Sequence, residues 1–206
     1  MKPSRSQRKM LFCTVMLALT CALWLCGPKP WQWWALGAIA CSWLADGLLA
    51  KYPPPLNRVP QGFFVGASLF AMAHLCYGAA SMMVLRSLGA PFRWRNFALV
   101  AAAFALAVLA HRVIFARRSQ RGRGFTIAAC AYLMLVGVMA SLTFRVAAET
   151  VWRVWCLPLG ACLFFLSDCI LVVREYRRAR SRPLNFAIMA SYLAGQLFLQ
   201  LGLWLC

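Results

Sequence analysis

An all-α, polytopic transmembrane bundle is the fold class this sequence predicts, and three observations predict it. Of its 206 residues, 63% are hydrophobic and 13% charged, whereas a soluble domain has about half and a quarter. The apolar residues gather into runs of about 20, the length a helix needs to cross a hydrocarbon core of about 30 Å. No period-2 alternation runs through them, which speaks against a spanning barrel. The 22 Lys and Arg, set against four acidic residues for a net charge of +18, fall in short clusters between the runs. That is the positive-inside pattern of a multi-pass protein. It suits anionic headgroups and gives no reason to expect nucleic acid. One integral membrane domain over residues 1–206 is expected.

Residues 1–9 form a basic N-terminus with Lys2, Arg5, Arg8 and Lys9, and the first apolar run covers about 10–26. It looks like a signal peptide, but no small-residue cleavage site follows, so it reads as an uncleaved span. Pro28 and Pro30 then force a turn. Trp31, Trp33 and Trp34 mark an interfacial belt where the second span, about 31–50, begins. That span stops at Lys51-Tyr52-Pro53-Pro54-Pro55. Further spans are expected over about 63–85, 97–115, 125–144, 152–173 and 185–205, seven in all.

Orientation follows from the charges. With the N-terminus cytoplasmic, about 16 of the 22 Lys and Arg fall on the inside. The expected location is therefore a bacterial inner membrane, with the C-terminus outside. The ten cysteines lie mostly within apolar runs and include no C-x-x-C pair. They read as small packing residues, and neither a disulfide framework nor a metal site is expected.

Two of the four acidic residues break the apolar runs. Asp46 lies in Ser42-Trp43-Leu44-Ala45-Asp46-Gly47-Leu48-Leu49, and Asp168 in Leu163-Phe164-Phe165-Leu166-Ser167-Asp168-Cys169-Ile170-Leu171. A carboxylate at the centre of a spanning helix costs about 2.5–3.5 kcal/mol on insertion scales, so it needs a partner or a use. Both spans run toward the cytoplasm, and each aspartate comes four or five residues before the inner end. At 1.5 Å per residue, both would lie about 7 Å below the cytoplasmic boundary, and two carboxylates at matching depth can converge on one cavity. His74 and Tyr77, three apart, share a face of the third span, and Tyr192 and Gln196, four apart, share a face of the last. Each pair alone reads as ordinary interhelical hydrogen bonding. Beside two buried aspartates they read as the wall of a polar cavity. His111, at a span end, and Glu149 and Glu175, in loops, are given no catalytic role. The clusters Arg117/Arg118 and Arg174/Arg177/Arg178 are topology signals first and a lipid-phosphate site second.

These segments together resemble a known family. Ser42 to Leu49, followed by Phe63-x-x-Gly66-x-x-x-Phe70-x-x-x-His74-x-x-Tyr77, is similar to the first signature of the YhhN-type lysoplasmalogenase family. Gly160-Ala161-x-x-Phe164-x-x-Ser167-Asp168-x-x-Leu171 and Ser191-Tyr192-x-x-x-Gln196 resemble its second. The likeness covers most of residues 40–200, with both aspartates, the histidine and the Tyr/Gln pair in family order. Ala45 stands where the family has glycine. The family is drawn with eight spans, one more than the count here, and the Lys9-to-Asp46 interval looks like the family's interval from its second span.

The resemblance implies hydrolysis of the vinyl ether of a lysophospholipid, giving a fatty aldehyde and a glycerophospho-base, without metal or cofactor. It implies Asp46 and Asp168 as a catalytic pair, one protonated and one ionised, in the manner of a glycosidase's carboxylates. His74, Tyr77, Ser167, Tyr192 and Gln196 would bind and orient substrate and water. Three other readings stay open at the level of sequence. A di-aspartyl intramembrane protease lacks its Gly-x-Gly-Asp here. A proton-coupled transporter using the buried Asp/His set shows no inverted repeat. A non-catalytic protein that kept the fold is the third.

Overall fold

The structure, a computed structural model, describes residues 5–51, 62–91, 102, 123–151, 153–177 and 181–206. Among these residues it is all helical, with six long elements: α1 (Arg5–Cys26), α2 (Gln32–Ala50), α3 (Gly62–Ser87), α4 (Arg123–Glu149), α5 (Cys156–Arg177) and α6 (Arg182–Leu205). All six are long and apolar enough to cross a bilayer. They match six of the seven expected spans; the span expected over 97–115, with His111, lies outside the described residues except for Ala102. Large apolar side chains point outward along these helices, Leu11 at 64%, Ile127 at 70% and Phe186 at 72% exposure. Water would penalise that display, and lipid does not.

The chain forms two compact units, residues 1–83 and 84–206. In the first, α1 and α2 make an antiparallel hairpin. Its turn is closed by Gln32, whose side chain accepts from the Lys29 backbone N–H at 3.0 Å. Trp24 packs on Trp33 near that turn, with ring centroids 4.3 Å apart. Trp33 and Trp34 are largely exposed, as an interfacial belt requires. At the far end, Trp43 Nε1 donates to Thr14 Oγ1 at 2.9 Å. Lys51 ends α2 in the left-handed conformation, φ 54°, its N–H returning to Gly47 and Leu48. The start of α3 lies against the end of α2. A Cβ at Gly66 would lie 3.2 Å from Leu49 and 3.5 Å from the Ala45 carbonyl. Glycine thus lets α3 close on the turn of α2 that carries Asp46.

In the second unit, α4, α5 and α6 run antiparallel in succession. Between α5 and α6 the backbones nearly touch. A Cβ at Gly160 would meet Leu199 N at 2.6 Å, one at Gly195 would meet Phe164 N at 2.9 Å, and one at Gly202 would meet Leu157 Cβ at 2.5 Å. Close approach through small residues is how membrane helices gain contact when lipid is as apolar as their side chains. Ser167 Oγ donates across this seam to the Ile188 carbonyl at 3.0 Å. Ser181 caps α6 by accepting from Leu184 N–H at 3.3 Å, with Pro183 in the first turn.

Several expected boundaries move. The first helix starts at Arg5, so Lys9 belongs to it and not to a basic tail. The run expected to stop at 144 continues to Glu149, so Glu149 is helical and not in a loop. Arg145, 8% exposed, is accommodated there by donating to the Pro91 carbonyl and by Glu149 one turn on, at 3.6 Å. Val151 turns the chain with φ 51°, and the next helix begins at Cys156 instead of 152. Glu175 also lies inside a helix, the last turn of α5, paired with Arg174 at 2.8 Å.

Candidate functional site

Asp46 is fully buried, on the penultimate turn of α2. The antiparallel register of the hairpin brings the first turns of α1 beside it. Lys9 Nζ lies 2.5 Å from Asp46 Oδ1, with the lysine side chain 18% exposed and the aspartate 0%. One turn further along α1, Cys13 Sγ donates to Asp46 Oδ2 at 3.1 Å. Each carboxylate oxygen therefore has its own partner on the neighbouring helix. A buried charge of this kind is tolerated only when an opposite charge and hydrogen bonds accompany it. Ser42, one turn before Asp46, is also fully buried. His74 and Tyr77 are fully buried on α3 within the same unit, where Ser81 Oγ donates back to the Tyr77 carbonyl at 3.0 Å.

Asp168 is 4% exposed, in the middle of α5. Its Oδ2 accepts from the Tyr132 hydroxyl on α4 at 3.0 Å. Ala129, one turn before Tyr132, is buried with Phe125, Val172 and Val173 around it, so the two helices meet through apolar side chains on one side of the hydrogen bond. On the other flank, α6 supplies Tyr192 and Gln196. Gln196 Nε2 donates to the Tyr192 hydroxyl at 3.4 Å, and the Tyr192 ring stands edge-on to Phe164, 5.2 Å between centroids. Above Asp168, Arg174 bonds Asn185 Oδ1 at 3.0 Å and Glu175 at 2.8 Å, joining the ends of α5 and α6.

The sequence-predicted residues thus divide by unit. Asp46, His74 and Tyr77 belong to the first; Ser167, Asp168, Tyr192 and Gln196 belong to the second. All seven are buried. They also divide by task. Ser167 spends its hydroxyl proton on the Ile188 carbonyl, and Gly66, Gly160 and Gly195 serve close backbone approach. Sequence reasoning missed two residues, Lys9 and Tyr132. Lys9 had been grouped with a topology-setting tail; the signal that finds it is the register of the α1–α2 hairpin. Tyr132 stands alone in Ala131-Tyr132-Leu133, with no spaced polar partner on its own helix to single it out.

No group of three or more His, Cys, Asp and Glu gathers among the described residues as a metal site would require. Each unit thus holds one acid side chain, buried within its helices and met by a named partner. No curated protein and no solved structure matches the chain. A sequence model of the YhhN family does match it, over residues 7–203, a range that takes in both aspartates and nearly all of the six helices, and the chain, a multi-pass integral membrane protein, belongs to that family.

Proposed function

We propose that this protein is a membrane-embedded hydrolase that cleaves the vinyl ether bond of lysoplasmalogen-type lysophospholipids, with Asp46 and Asp168 as its acid/base pair. What carries the reading is the family match together with its two aspartates, both buried inside apolar helices where an unused carboxylate would be a cost. The chemistry needs no more than two carboxyl groups. A protonated one delivers its proton to the β-carbon of the vinyl ether, leaving an oxocarbenium ion. The ionised one stabilises that cation and takes a proton from water as the water adds. The hemiacetal then collapses, its hydroxyl proton returning to the first carboxylate and the second carboxyl protonating the departing glycerol oxygen. A fatty aldehyde and a glycerophospho-base leave.

His74, Tyr77, Tyr192 and Gln196 are suited to orienting water and the glycerol backbone. Ser167 offers only its lone pairs, because its proton is bound to α6. An N-terminus on the cytoplasmic side of a bacterial inner membrane fits the charge distribution. Product mass spectrometry tests the proposal: purified protein incubated with a vinyl-ether lysophospholipid is expected to release aldehyde and leave the ester analogue intact. Asp168→Asn is expected to reduce aldehyde release about 10²- to 10⁴-fold while the protein stays folded in detergent. Undiminished turnover would remove Asp168 from the reaction.

The half-buried Lys9 beside fully buried Asp46 favours one competing reading, a proton-coupled carrier whose relay runs through the buried Asp/His set. Substrate-dependent counterflow in proteoliposomes, without aldehyde, would select it.

A further inference from the structure

Lys9 stands where the membrane interior of the first unit ends. It opens the apolar window of α1, Lys9–Cys26, and the residues ahead of it include Lys2, Arg5 and Arg8. Its side chain is 18% exposed, while that of Asp46, whose Oδ1 lies 2.5 Å from Nζ, is 0%. Asp46 itself comes one turn before Ala50, the last residue of α2, about 6 Å inside the helix end at 1.5 Å per residue. One ammonium therefore joins a sealed carboxylate to the level at which lipid headgroups lie. An ammonium carries three N–H donors and no acceptor, so a single such group serves several anions at once. As a compact charge on a flexible stem, lysine is a customary phosphate ligand.

We propose that Lys9 is the phosphate receptor for the lipid substrate: the phosphodiester of the lysophospholipid seats on its ammonium, and that contact brings the vinyl ether to Asp46. The proposal rests on the vinyl-ether reading above and adds the residue that reads the headgroup. A phosphate oxygen on an ammonium lies about 2.8 Å from the nitrogen. With Nζ 2.5 Å from Asp46 Oδ1, that oxygen comes within about 5 Å of the carboxylate. In the substrate only the glycerol carbons separate phosphate from ether oxygen, so a lipid held at Lys9 carries its reacting bond to the depth of Asp46. Its chain then continues into the hydrocarbon. The cation standing between phosphate and carboxylate offsets their mutual repulsion. Cys13 Sγ, donating to Oδ2 of Asp46 at 3.1 Å, keeps a second hold on the carboxylate while Lys9 engages the lipid. Lys9 makes and breaks no covalent bond.

The test gives the full chain two lipids in the same mixed micelles. One is a 1-alkenyl-glycerophosphocholine; the other is the 1-alkenylglycerol of equal chain length, which keeps the vinyl ether and lacks the phosphate. Wild-type protein is expected to favour the phospholipid about 10- to 100-fold in kcat/KM, the range of a charge-assisted hydrogen bond. Lys9→Met is expected to bring that preference to within about threefold of unity. Lys9→Arg, which keeps a cation in place, is expected to retain most of it. Arg5→Gln, which lowers the charge at the same end of α1, is expected to leave it unchanged. Whatever Lys9→Met takes from folding or from Asp46 falls on both lipids alike and cancels in the ratio. Lys9→Gln, which keeps a neutral donor for Asp46, gives the same reading should Lys9→Met not fold. Equal cleavage of the two lipids by wild-type protein, or a preference that survives loss of the Lys9 charge, overturns the receptor role and leaves the hydrolase reading standing. An equal fall with Arg5→Gln overturns it too, because the attraction then belongs to the charge of the whole helix end. Aldehyde from neither lipid overturns the hydrolase reading beneath it.

Discussion

The hairpin that holds Asp46 and the three-helix unit that holds Asp168 bury the same chemical group by different means. In the hairpin the carboxylate is met by charge, with Lys9 arriving from the first turns of α1 at 2.5 Å. In the three-helix unit it is met by a neutral hydroxyl, Tyr132, and the precision comes from backbone: Gly160, Gly195 and Gly202 let α5 and α6 meet without intervening side chains. Electrostatic holding is strong but depends on one long, flexible lysine. Steric holding spreads over a whole seam and fails only when the seam is filled. The difference teaches that equal burial can be reached by unlike supports, one a single ion pair and the other a seam of closely packed backbone.

The sharpest way to break the comparison is on the charged side. Lys9→Met strands Asp46 without its cation, and a loss of about 3–5 kcal/mol in unfolding free energy is expected, read by denaturant titration in mixed micelles. Gly195→Leu attacks the steric side. Its side chain meets the Phe164 backbone, so a loss of about 1–3 kcal/mol is expected, visible as a lower midpoint of thermal unfolding with Lys9 untouched. Tyr132→Phe removes one neutral donor and is expected to lower kcat about three- to tenfold at constant KM, the effect of roughly 1 kcal/mol. The smallest change is Thr14→Val, which costs the hairpin the hydrogen bond from Trp43, about 0.6 kcal/mol by thermal shift. If Lys9→Met and Tyr132→Phe cost the same, the contrast between a charged and a neutral holder is wrong.

Much of this was readable from the residues, and the remainder was hidden for a physical reason. Hydropathy finds the helices because crossing a bilayer imposes length, and it finds Asp46 and Asp168 because they interrupt it. Helix ends were read wrongly wherever a charge was taken as an exit from the membrane. Arg145 stopped the expected run at 144, yet its guanidinium is satisfied by Pro91 and Glu149 and the helix continues. Lys9 was counted with the basic tail because linear charge rules cannot see that an antiparallel partner brings it to Asp46. Tyr132 carries no periodic signal at all, since its partner is 36 positions away on another helix. The motif glycines were legible as a pattern, but their purpose appears only when the distance a Cβ would have is known.

That missing distance has a mechanical meaning. Where main chain rests on main chain there is no slack to take up, so α5 and α6 answer any push from the surrounding lipid as one stiff plank. Asp168, Tyr192 and Gln196 ride on that plank together, and their mutual spacing is insulated from changes in bilayer thickness or tension. The side chains of this unit proposed to meet substrate thus stand on the part least able to bend.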